Sequence, residues 1–420
     1  MKLLYVTAHK FCRIKGEVMS SGQFPYSLWE RFLPHFEEIH VLAREVEGVN
    51  EKCFSKLNIA GGPRVHFHLI PASKNLTGHI QDAGKFKSYA EALMQEADLV
   101  IIRNCNLGWS VAQACRKANK PWMMEVAGDY FKAYWYHGSL AAKLFAPFAE
   151  WQSKKWISRA PYVMYVTKEY LQKKYPAKGE TTYASNVNIS VALSDLAYRQ
   201  RNKVDQIGSS GQIRLGFCGT LFNKQKGLDI AIKALARVKE KLPPFCLYVI
   251  GPGNLQFWKD MVKRYRLEDH VTFEGLIPAG EPVLRWFDKI DLYLHPSLQD
   301  GLSRSIVESM SRGCPVLASS TGGAHELLPE EVTHTPGDYK TLAGQVLEFV
   351  TDKKKLRESA ALNLQKSREY DYHVLQKTRD AFMAKFKARY QELDARCNQV
   401  SKLPVGREKE RTFRSLEVGK

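Results

Sequence analysis

The chain alternates short apolar runs with longer helical stretches, and it does so twice. In the first half the runs are LLYVTA, IHVLA, VHFHLI, ADLVIIR, PWMMEVAG and YVMYVT. Most are apolar at successive positions, as expected of strands that are covered on both faces of a parallel sheet. The segments between them are long enough for crossover helices. The first half is therefore predicted to be an α/β domain.

The same alternation restarts after a polar stretch, YRQRNKVDQIGSSGQ, with the runs IRLGFCGT, FCLYVIG, VTFEG, IDLYLHPS and CPVLASS. The polar stretch ends in Gly and Ser and is predicted to be a linker. A chain of 420 residues is long enough for two domains with their own cores. The predicted parts are an N-terminal domain at 1–197, a linker at 198–212, a C-terminal domain at 213–372, a long basic helix at 373–396 that could cross back to the N-terminal domain, and a tail at 397–420.

The charge of the chain favours anionic partners. Lys and Arg number 62 against 44 Asp and Glu, a formal charge of +18. This excess suits a nucleotide, a nucleic acid or an anionic membrane face without choosing among them. No apolar run approaches the length of a membrane span, and the first apolar run is too short for a signal peptide. The eight cysteines lack paired spacing, so we expect free thiols in a cytoplasmic protein.

The stretch HPSLQDGLSRSIVESM contains two acids at a predicted strand–loop–helix junction. Gly301 allows a sharp turn and close approach to a ligand. A helix that begins near Ser303 or Ser305 would present free N–H groups to an anion such as a diphosphate. Asp300 and Glu308 could then accept hydroxyls of a ribose or a sugar. The alternatives are a turn residue for Asp300 and a capping box between Ser305 and Glu308.

Four stretches of the second half together resemble a known family. In chain order they are GFCGTLFNKQKGLDIAIKAL, LYVIGPG, HVTFEGLIP and DLYLHPSLQDGLSRSIVESMSRGCPVLASSTGGAHELL. They are similar to the retaining glycosyltransferases called glycosyl transferases group one, or glycosyltransferase family 4, including enzymes of bacterial surface polysaccharides. The resemblance implies an α/β protein of the GT-B fold, in which two Rossmann-like domains face each other across a cleft. It also implies that the N-terminal domain is the acceptor side and the C-terminal domain the donor side.

The resemblance assigns roles to residues of the second half. It implies that Glu308 binds the ribose of the donor and that Asp300 contacts the transferred sugar, where the family usually has Glu. Lys226 would bind the diphosphate, although an exposed lysine at a helix start is the alternative. Six residues earlier the family commonly has an Arg, and this chain has Thr220. Lys224 is the candidate to compensate.

Loop positions complete the predicted substrate site. Gly253 lies in the glycine turn of LYVIGPG, and Gly301, Leu302 and Ser303 form the loop of the signature block. In the N-terminal half, Gly22 best matches a family glycine that approaches the donor phosphates, and a plain loop glycine is the alternative.

Four further residues are candidates, and two of them have two interpretations each. Gly322 and Gly323 would form a ligand-facing turn. Glu326 matches a family glutamate, but capping of the following helix explains it equally well. Asp129, in the sequence EVAGD, contacts sugar hydroxyls or caps a helix. The family often has a histidine after this strand, and this chain lacks it.

Residues 131–178 combine lysines and arginines with many aromatic side chains. Such a mixture suits an anionic membrane interface. It also suits single-stranded nucleic acid, or a helix whose aromatics are core and whose lysines are solvated. Acceptors in the family are often lipid-linked sugars, so the membrane is preferred and nucleic acid is not expected.

The resemblance implies a retaining, metal-independent glycosyltransferase of the hexosyltransferase type. The donor would be a nucleoside-diphosphate sugar, foremost a UDP-sugar, and no other cofactor is expected. The acceptor would be a hydroxyl of a lipid-linked or polysaccharide glycan in the synthesis of bacterial lipopolysaccharide or capsule, at the inner face of the plasma membrane. The alternatives are an epimerase or phosphorylase of the same fold, and a non-enzymatic binder of anionic polymer.

Overall fold

The computed structural model describes residues 1–21, 24–48, 56–72, 76–191, 198–199, 202–207 and 211–401. The predicted site residue Gly22, most of the polar stretch between the domains and the tail from 402 onward lie outside the described residues. The described part contains two sheets, one of nine and one of six strands.

The first sheet has a parallel body in the order β5-β3-β1-β6-β7-β8-β9. Its central strands are fully buried, as the continuous apolar runs predicted. The strands of this sheet are β1 (Lys2–Ile14), β2 (Glu17–Ser20), β3 (Glu38–Glu45), β4 (Asn58–Ile59), β5 (Val65–Pro71), β6 (Leu99–Arg103), β7 (Trp122–Val126), β8 (Tyr162–Tyr165) and β9 (Glu180–Tyr183).

The first strand is longer than the sequence indicated. The apolar run LLYVTA covers only its first part, and β1 continues to Ile14 and turns back into β2 as an antiparallel hairpin. The turn residues Lys15 and Gly16 both have positive φ, 53° and 81°. Two such residues give the tight turn that matches the twist of paired strands.

The second sheet is parallel throughout, in the order β12-β11-β10-β13-β14-β15. Renumbered from its first strand, this is the order 3-2-1-4-5-6 of a Rossmann sheet, in which ligands bind at the carboxyl ends of the strands. Its strands are β10 (Ile213–Cys218), β11 (Phe245–Ile250), β12 (Val271–Gly275), β13 (Leu292–His295), β14 (Val316–Ser319) and β15 (Thr333–His334).

Helices connect the parallel strands in both domains. Their bounds are α1 (Tyr26–Trp29), α2 (Leu76–Glu96), α3 (Asn106–Lys117), α4 (Tyr130–Trp135), α5 (Leu140–Ile157), α6 (Tyr170–Lys174), α7 (Leu228–Val238), α8 (Leu255–Arg264), α9 (Glu281–Asp288), α10 (Arg304–Ser311), α11 (Ala324–Leu327), α12 (Tyr339–Thr351), α13 (Lys353–Ser367) and α14 (Tyr372–Ser401).

The final helix α14 packs against the N-terminal domain. Phe382, Met383 and Phe386 are buried in one hydrophobic cluster with side chains of β1 and β3. The Tyr390 hydroxyl donates to Asp98 Oδ1 at 2.8 Å. The helix thus joins the end of the C-terminal domain to the first sheet. The cysteines whose side chains are described are all free thiols.

Candidate active site

A cleft of about 340 Å³ lies between the two domains. It is lined at the carboxyl ends of strands from both sheets, where ligands bind in folds of this kind. Predicted site residues that line it are Thr220, Lys226, Asp300, Leu302, Ser303 and Glu308.

The Asp300 carboxylate is held by the side chains of Lys226 and His295 and by the amide of its neighbour Gly301. Its Oδ2 atom lies 2.8 Å from Lys226 Nζ and 3.1 Å from His295 Nε2, and the Gly301 amide donates to Oδ1 at 3.2 Å. Burial alone would raise the pKa of Asp300, but the charge of Lys226 and the hydrogen bond from His295 outweigh it. The pKa of Asp300 therefore lies below its ordinary value, and the side chain is an anion paired with Lys226.

His295 positions this carboxylate from inside the fold. The imidazole is buried, and burial lowers its pKa despite the nearby charge of Asp300. Because an ionised carboxylate only accepts hydrogen bonds, we assign the proton of the neutral ring to Nε2. The other nitrogen, Nδ1, lies 3.0 Å from the Tyr293 hydroxyl. Sequence reasoning missed His295, although it is the last residue of β13.

Glycines set the shape of the Asp300 loop. A Cβ on Gly301 would lie 2.2 Å from the Ala127 carbonyl oxygen of the opposite domain. The Gly301 carbonyl accepts from the Gly323 amide at 2.6 Å. Gly322 has φ +56°, and a Cβ there would lie 2.3 Å from the Gly301 oxygen. These residues therefore bring loops of both domains into backbone contact beside the cleft.

Glu308 has a different environment from the one that a capping box predicts. The N-cap of α10 is Ser303, whose side chain makes no capping hydrogen bond. Ser305 lies inside the helix, with its hydroxyl 2.8 Å from the Tyr293 hydroxyl. The capping box was therefore the wrong alternative. Within the described residues, no donor forms a hydrogen bond to the Glu308 carboxylate. Burial raises the pKa of Glu308, and the charge of Arg304 offsets part of that rise.

Lys226 reaches the cleft from the turn before α7. Gly227, with φ +78°, is the N-cap of this helix, and a Cβ there would clash with the Pro296 carbonyl. Lys224 points elsewhere: its ammonium lies 5.4 Å from the centre of the exposed Phe257 ring, and it is not a cleft residue. The structure therefore gives no support to Lys224 as the substitute for a cation at Thr220.

The glycine turn after β11 contributes different residues from the predicted one. Gly251 and Pro252 line the cleft. Gly253, with φ +157°, packs against Leu221, because a Cβ there would lie 2.4 Å from the Leu221 carbonyl carbon. Gly253 thus holds the two loops together behind the lining.

Asp129 is fully buried and caps α4. It accepts hydrogen bonds from the Lys132 amide at 3.0 Å, the Tyr170 hydroxyl at 2.9 Å and Lys174 Nζ at 2.7 Å. Although burial raises the pKa of Asp129, these donors lower it below its ordinary value. The side chain does not line the cleft. The structure therefore favours the helix-capping interpretation over the sugar contact.

Glu326 also caps a helix, but not the one that follows it. Its carboxylate accepts from the backbone amides of Lys168, Glu169 and Tyr170 at 2.6, 3.1 and 2.8 Å. These amides precede and begin α6 in the N-terminal domain. The helix-capping interpretation of Glu326 therefore named the wrong helix. The capped helix α6 lies about 157 residues earlier in the chain and is close to Glu326 only in the folded protein.

Two arginines of the cleft were not predicted. Arg103 is the last residue of β6, and Arg304 is the first residue of α10. Each follows from a simple rule, since both lie at a strand end or helix start that faces the inter-domain cleft.

Comparison with known proteins gives a consistent result. Residues 212–352 match the model of the family described as glycosyl transferases group 1. Over 92% of its length the chain is 31% identical to the protein CapJ of Staphylococcus aureus, of which it covers 96%.

The chain belongs to the glycosyl transferases group 1 family. Over 30% of the chain and 33% of the relative, it is 32% identical to the amylovoran biosynthesis glycosyltransferase AmsK of Erwinia amylovora. Among solved structures, Anabaena Alr3699/HepE in complex with UDP and glucose matches with a TM-score of 0.63 at 19% identity, over 92% of this chain and 100% of that one. The predicted GT-B fold is thus confirmed, and the protein is a glycosyltransferase.

Proposed function

We propose that this glycosyltransferase is a retaining, metal-independent hexosyltransferase of bacterial surface glycan synthesis. It moves a sugar from a nucleoside-diphosphate sugar, foremost a UDP-sugar, to a hydroxyl of a lipid-linked or polysaccharide acceptor. The observation that carries the proposal is the convergence of Lys226, Asp300 and Glu308 in one inter-domain cleft. Similarity to CapJ and to AmsK, a glycosyltransferase of amylovoran biosynthesis, supports a role in surface-glycan synthesis. The UDP and glucose bound by the Anabaena protein support a UDP-sugar as the donor.

Each side chain has a distinct task in this mechanism. The Glu308 carboxylate, with no donor among the described residues, accepts the ribose hydroxyls. Lys226 turns from Asp300 to the diphosphate and stabilises the negative charge that grows as the bond to the sugar breaks. Asp300 Oδ2 is then available for a hydroxyl of the transferred sugar, with His295 keeping the carboxylate in place.

The helix α10 adds a second stabilising element. Its N-terminus borders the cleft through Ser303, and the Ser303 side chain does not cap the first amides. These amides and the positive end of the helix dipole therefore suit the diphosphate. With Lys226 they supply positive charge without a metal ion. Retention would follow from attack by the acceptor on the face that the leaving group departs from, with no enzyme nucleophile.

The reaction is tested with a panel of nucleoside-diphosphate sugars and a lipid extract as the acceptor source. We expect release of nucleoside diphosphate that depends on the extract, and a product whose anomeric configuration by NMR equals that of the donor. An inverted product would contradict the retaining mechanism. A changed sugar without an acceptor would indicate an epimerase, and a requirement for inorganic phosphate would indicate a phosphorylase. Salt-sensitive binding of nucleic acid without turnover would indicate a polymer binder.

The helix α5 supports the proposed membrane contact. Leu140, Leu144, Phe148 and Trp151 recur every three or four residues and therefore share one face. All are exposed, Leu144 to 75% and Trp151 to 56%. On the same helix Trp156 is buried, so some aromatic side chains of α5 belong to the core while Phe148 and Trp151 face outward.

Lysines border this apolar face. Lys155 Nζ lies 5.1 Å from the ring centre of Trp151, and Lys143 Nζ lies 5.8 Å from that of the exposed Trp135. Apolar side chains that enter a bilayer and lysines that meet its headgroups fit an anionic membrane surface. Within the described part of the chain, no helix combines the length and hydrophobicity that crossing a membrane requires. We propose that the exposed face of α5 attaches the protein peripherally at the inner face of the plasma membrane.

Co-sedimentation with phosphatidylcholine vesicles, with and without phosphatidylglycerol, tests this surface. We expect binding to the anionic vesicles and at least a tenfold loss in Leu144→Glu. Leu362→Glu is the matched control, because Leu362 is also exposed but lies on α13 of the other domain. Equal binding by both variants would refute the assignment of α5.

A further inference from the structure

Two arginines of the cleft have no role in the mechanism above. Arg103 belongs to the N-terminal domain and Arg304 to the C-terminal domain, and both line the same cavity of about 340 Å³. Arg103 is stacked over the Phe24 ring at 4.9 Å from its centre, which fixes the guanidinium beside the cleft. The cavity therefore places a planar cation on each of its two walls.

Three cations and two carboxylates line the cleft, and Arg103 also interacts with the Tyr5 hydroxyl and with the charge of Glu125 behind it. The lining contains Lys226, Arg103 and Arg304 against Asp300 and Glu308, and Asp300 is already paired with Lys226.

Behind the N-terminal wall, Glu125 accepts a hydrogen bond from the Tyr5 hydroxyl at 2.5 Å. His9 is influenced by both guanidinium groups: burial, Arg103 and Arg304 together lower its pKa to about 3. The space between the walls is thus a positive, partly desolvated region in which an anion is favoured.

The chemistry of the two side chains indicates which anion fits. A guanidinium group binds phosphate through two parallel hydrogen bonds. One arginine on each wall of the cleft can therefore bind the same diphosphate from opposite sides. The α10 N-terminus, where Arg304 lies, borders the same space. Position 220, where the family resemblance led us to expect an arginine, is threonine in this chain.

We propose that Arg103 and Arg304 form a two-domain clamp on the diphosphate of the donor. The inference rests on the proposed function and adds two phosphate ligands to it. A diphosphate between the two walls is attracted to both guanidinium groups. By binding an arginine of each domain, it holds the domains together around the reacting sugar, as domain closure in such enzymes requires. Arg103 thereby takes part in donor binding from the domain that otherwise serves the acceptor.

A double-mutant cycle tests whether the two arginines bind one anion. The variants are Arg103→Gln, Arg304→Gln and their combination, and the ligands are UDP, inorganic pyrophosphate and uridine. We expect each single variant to lose at least tenfold in affinity for UDP and pyrophosphate while uridine changes less than twofold. If both arginines bind the same diphosphate, the double variant loses several-fold less than the product of the single losses.

Controls separate this result from a general loss of charge or of fold. Arg116→Gln on α3 and Arg237→Gln on α7 remove exposed arginines from the last turn of a helix in each domain, and we expect no change in affinity. Arg103→Lys and Arg304→Lys keep the charge and the fold but lose the two-pronged geometry, and they should lose at least threefold in affinity for pyrophosphate.

Two outcomes would overturn the clamp while leaving the proposed function intact. One is wild-type UDP affinity in Arg103→Gln, which would free Arg103 to bind an anionic acceptor instead. The other is a double variant whose loss equals the product of the single losses. Failure of the wild-type protein to bind any nucleoside diphosphate would overturn the proposed function and the clamp together.

Discussion

The contact between Glu326 and α6 gives a prediction about how the domains are held. Glu326 lies in α11 of the C-terminal domain, and its two carboxylate oxygens accept from three consecutive backbone amides, those of Lys168, Glu169 and Tyr170. These amides surround the start of a five-residue helix whose own N-cap side chain forms no capping bond. Glu326→Ala leaves all three amides without this acceptor.

The expected cost follows from the number and kind of bonds. Loss of an ordinary N-cap costs about 0.5–2 kcal/mol. The acceptor here is ionised, which strengthens each bond, but the site is partly exposed, which weakens it. We therefore expect the free energy of unfolding of the N-terminal domain to fall by about 2 kcal/mol, roughly a thirtyfold change in its unfolding equilibrium. In Tm this corresponds to roughly 4–8 °C for a domain of this size.

Thermal unfolding and amide hydrogen exchange measure this effect together. In Glu326→Ala the amides of residues 168–170 should exchange faster, while those of β10 and β13 should not change. Glu326→Gln is the matched control, because its amide keeps one neutral acceptor oxygen and should lose about half as much stability.

The alternative to this inter-domain cap is a role for Glu326 in binding the donor. If that role were correct, Glu326→Ala would weaken nucleotide binding while stability and the exchange of amides 168–170 stayed at the wild-type level. That result would refute the inter-domain cap.

Three other predictions concern the pH dependence, the loop and the cation of the cleft. Burial lowers the pKa of His9 to about 3 and of His334 to about 4, so the unfolded chain takes up these protons below about pH 6.5 before the folded chain does. Stability should thus be greatest above pH 6.5 and fall toward pH 4 by about 1.4 kcal/mol per pH unit for each histidine, and a flat urea midpoint over this range would contradict it. Gly301→Ala places a methyl group against the Ala127 carbonyl and should reduce sugar transfer at least tenfold with a normal circular dichroism spectrum; unchanged transfer would contradict the tight contact. Lys226→Gln should lower kcat by about a hundredfold, roughly 3 kcal/mol, in steady-state assays, and an effect on KM alone would contradict a role in the transition state.

The sheets could be predicted because buried parallel strands are continuous apolar runs. This holds for β6, whose residues Leu99 to Ile102 are fully buried. The antiparallel β2 and the edge strand β9, with the mostly exposed sequence ETTY, carry no such run and were missed. These two segments form strands because they pair with a neighbouring strand, and their own amino-acid composition does not indicate it.

The acid pair and Lys226 could be placed in the cleft because the residues lie at strand ends or helix starts, which the topology brings together. The side-chain partners could not be predicted. Ser305 and Glu308 have capping-box spacing, but α10 begins two residues earlier than that motif needs. The partners of Glu326 and Asp129 come from distant segments, and only packing of the two domains selects them.

The central claim is that Glu308 binds the nucleotide of a donor in the inter-domain cleft. A thermal-shift titration of wild type and Glu308→Ala with UDP, GDP, ADP and CMP tests it most directly. At one hundred times its dissociation constant, a ligand of the folded state adds about 2.7 kcal/mol to stability. We predict that one nucleoside diphosphate stabilises the wild type and that Glu308→Ala, equally stable without ligand, loses the effect. Equal stabilisation of both proteins, or of neither by any nucleotide, would contradict the claim.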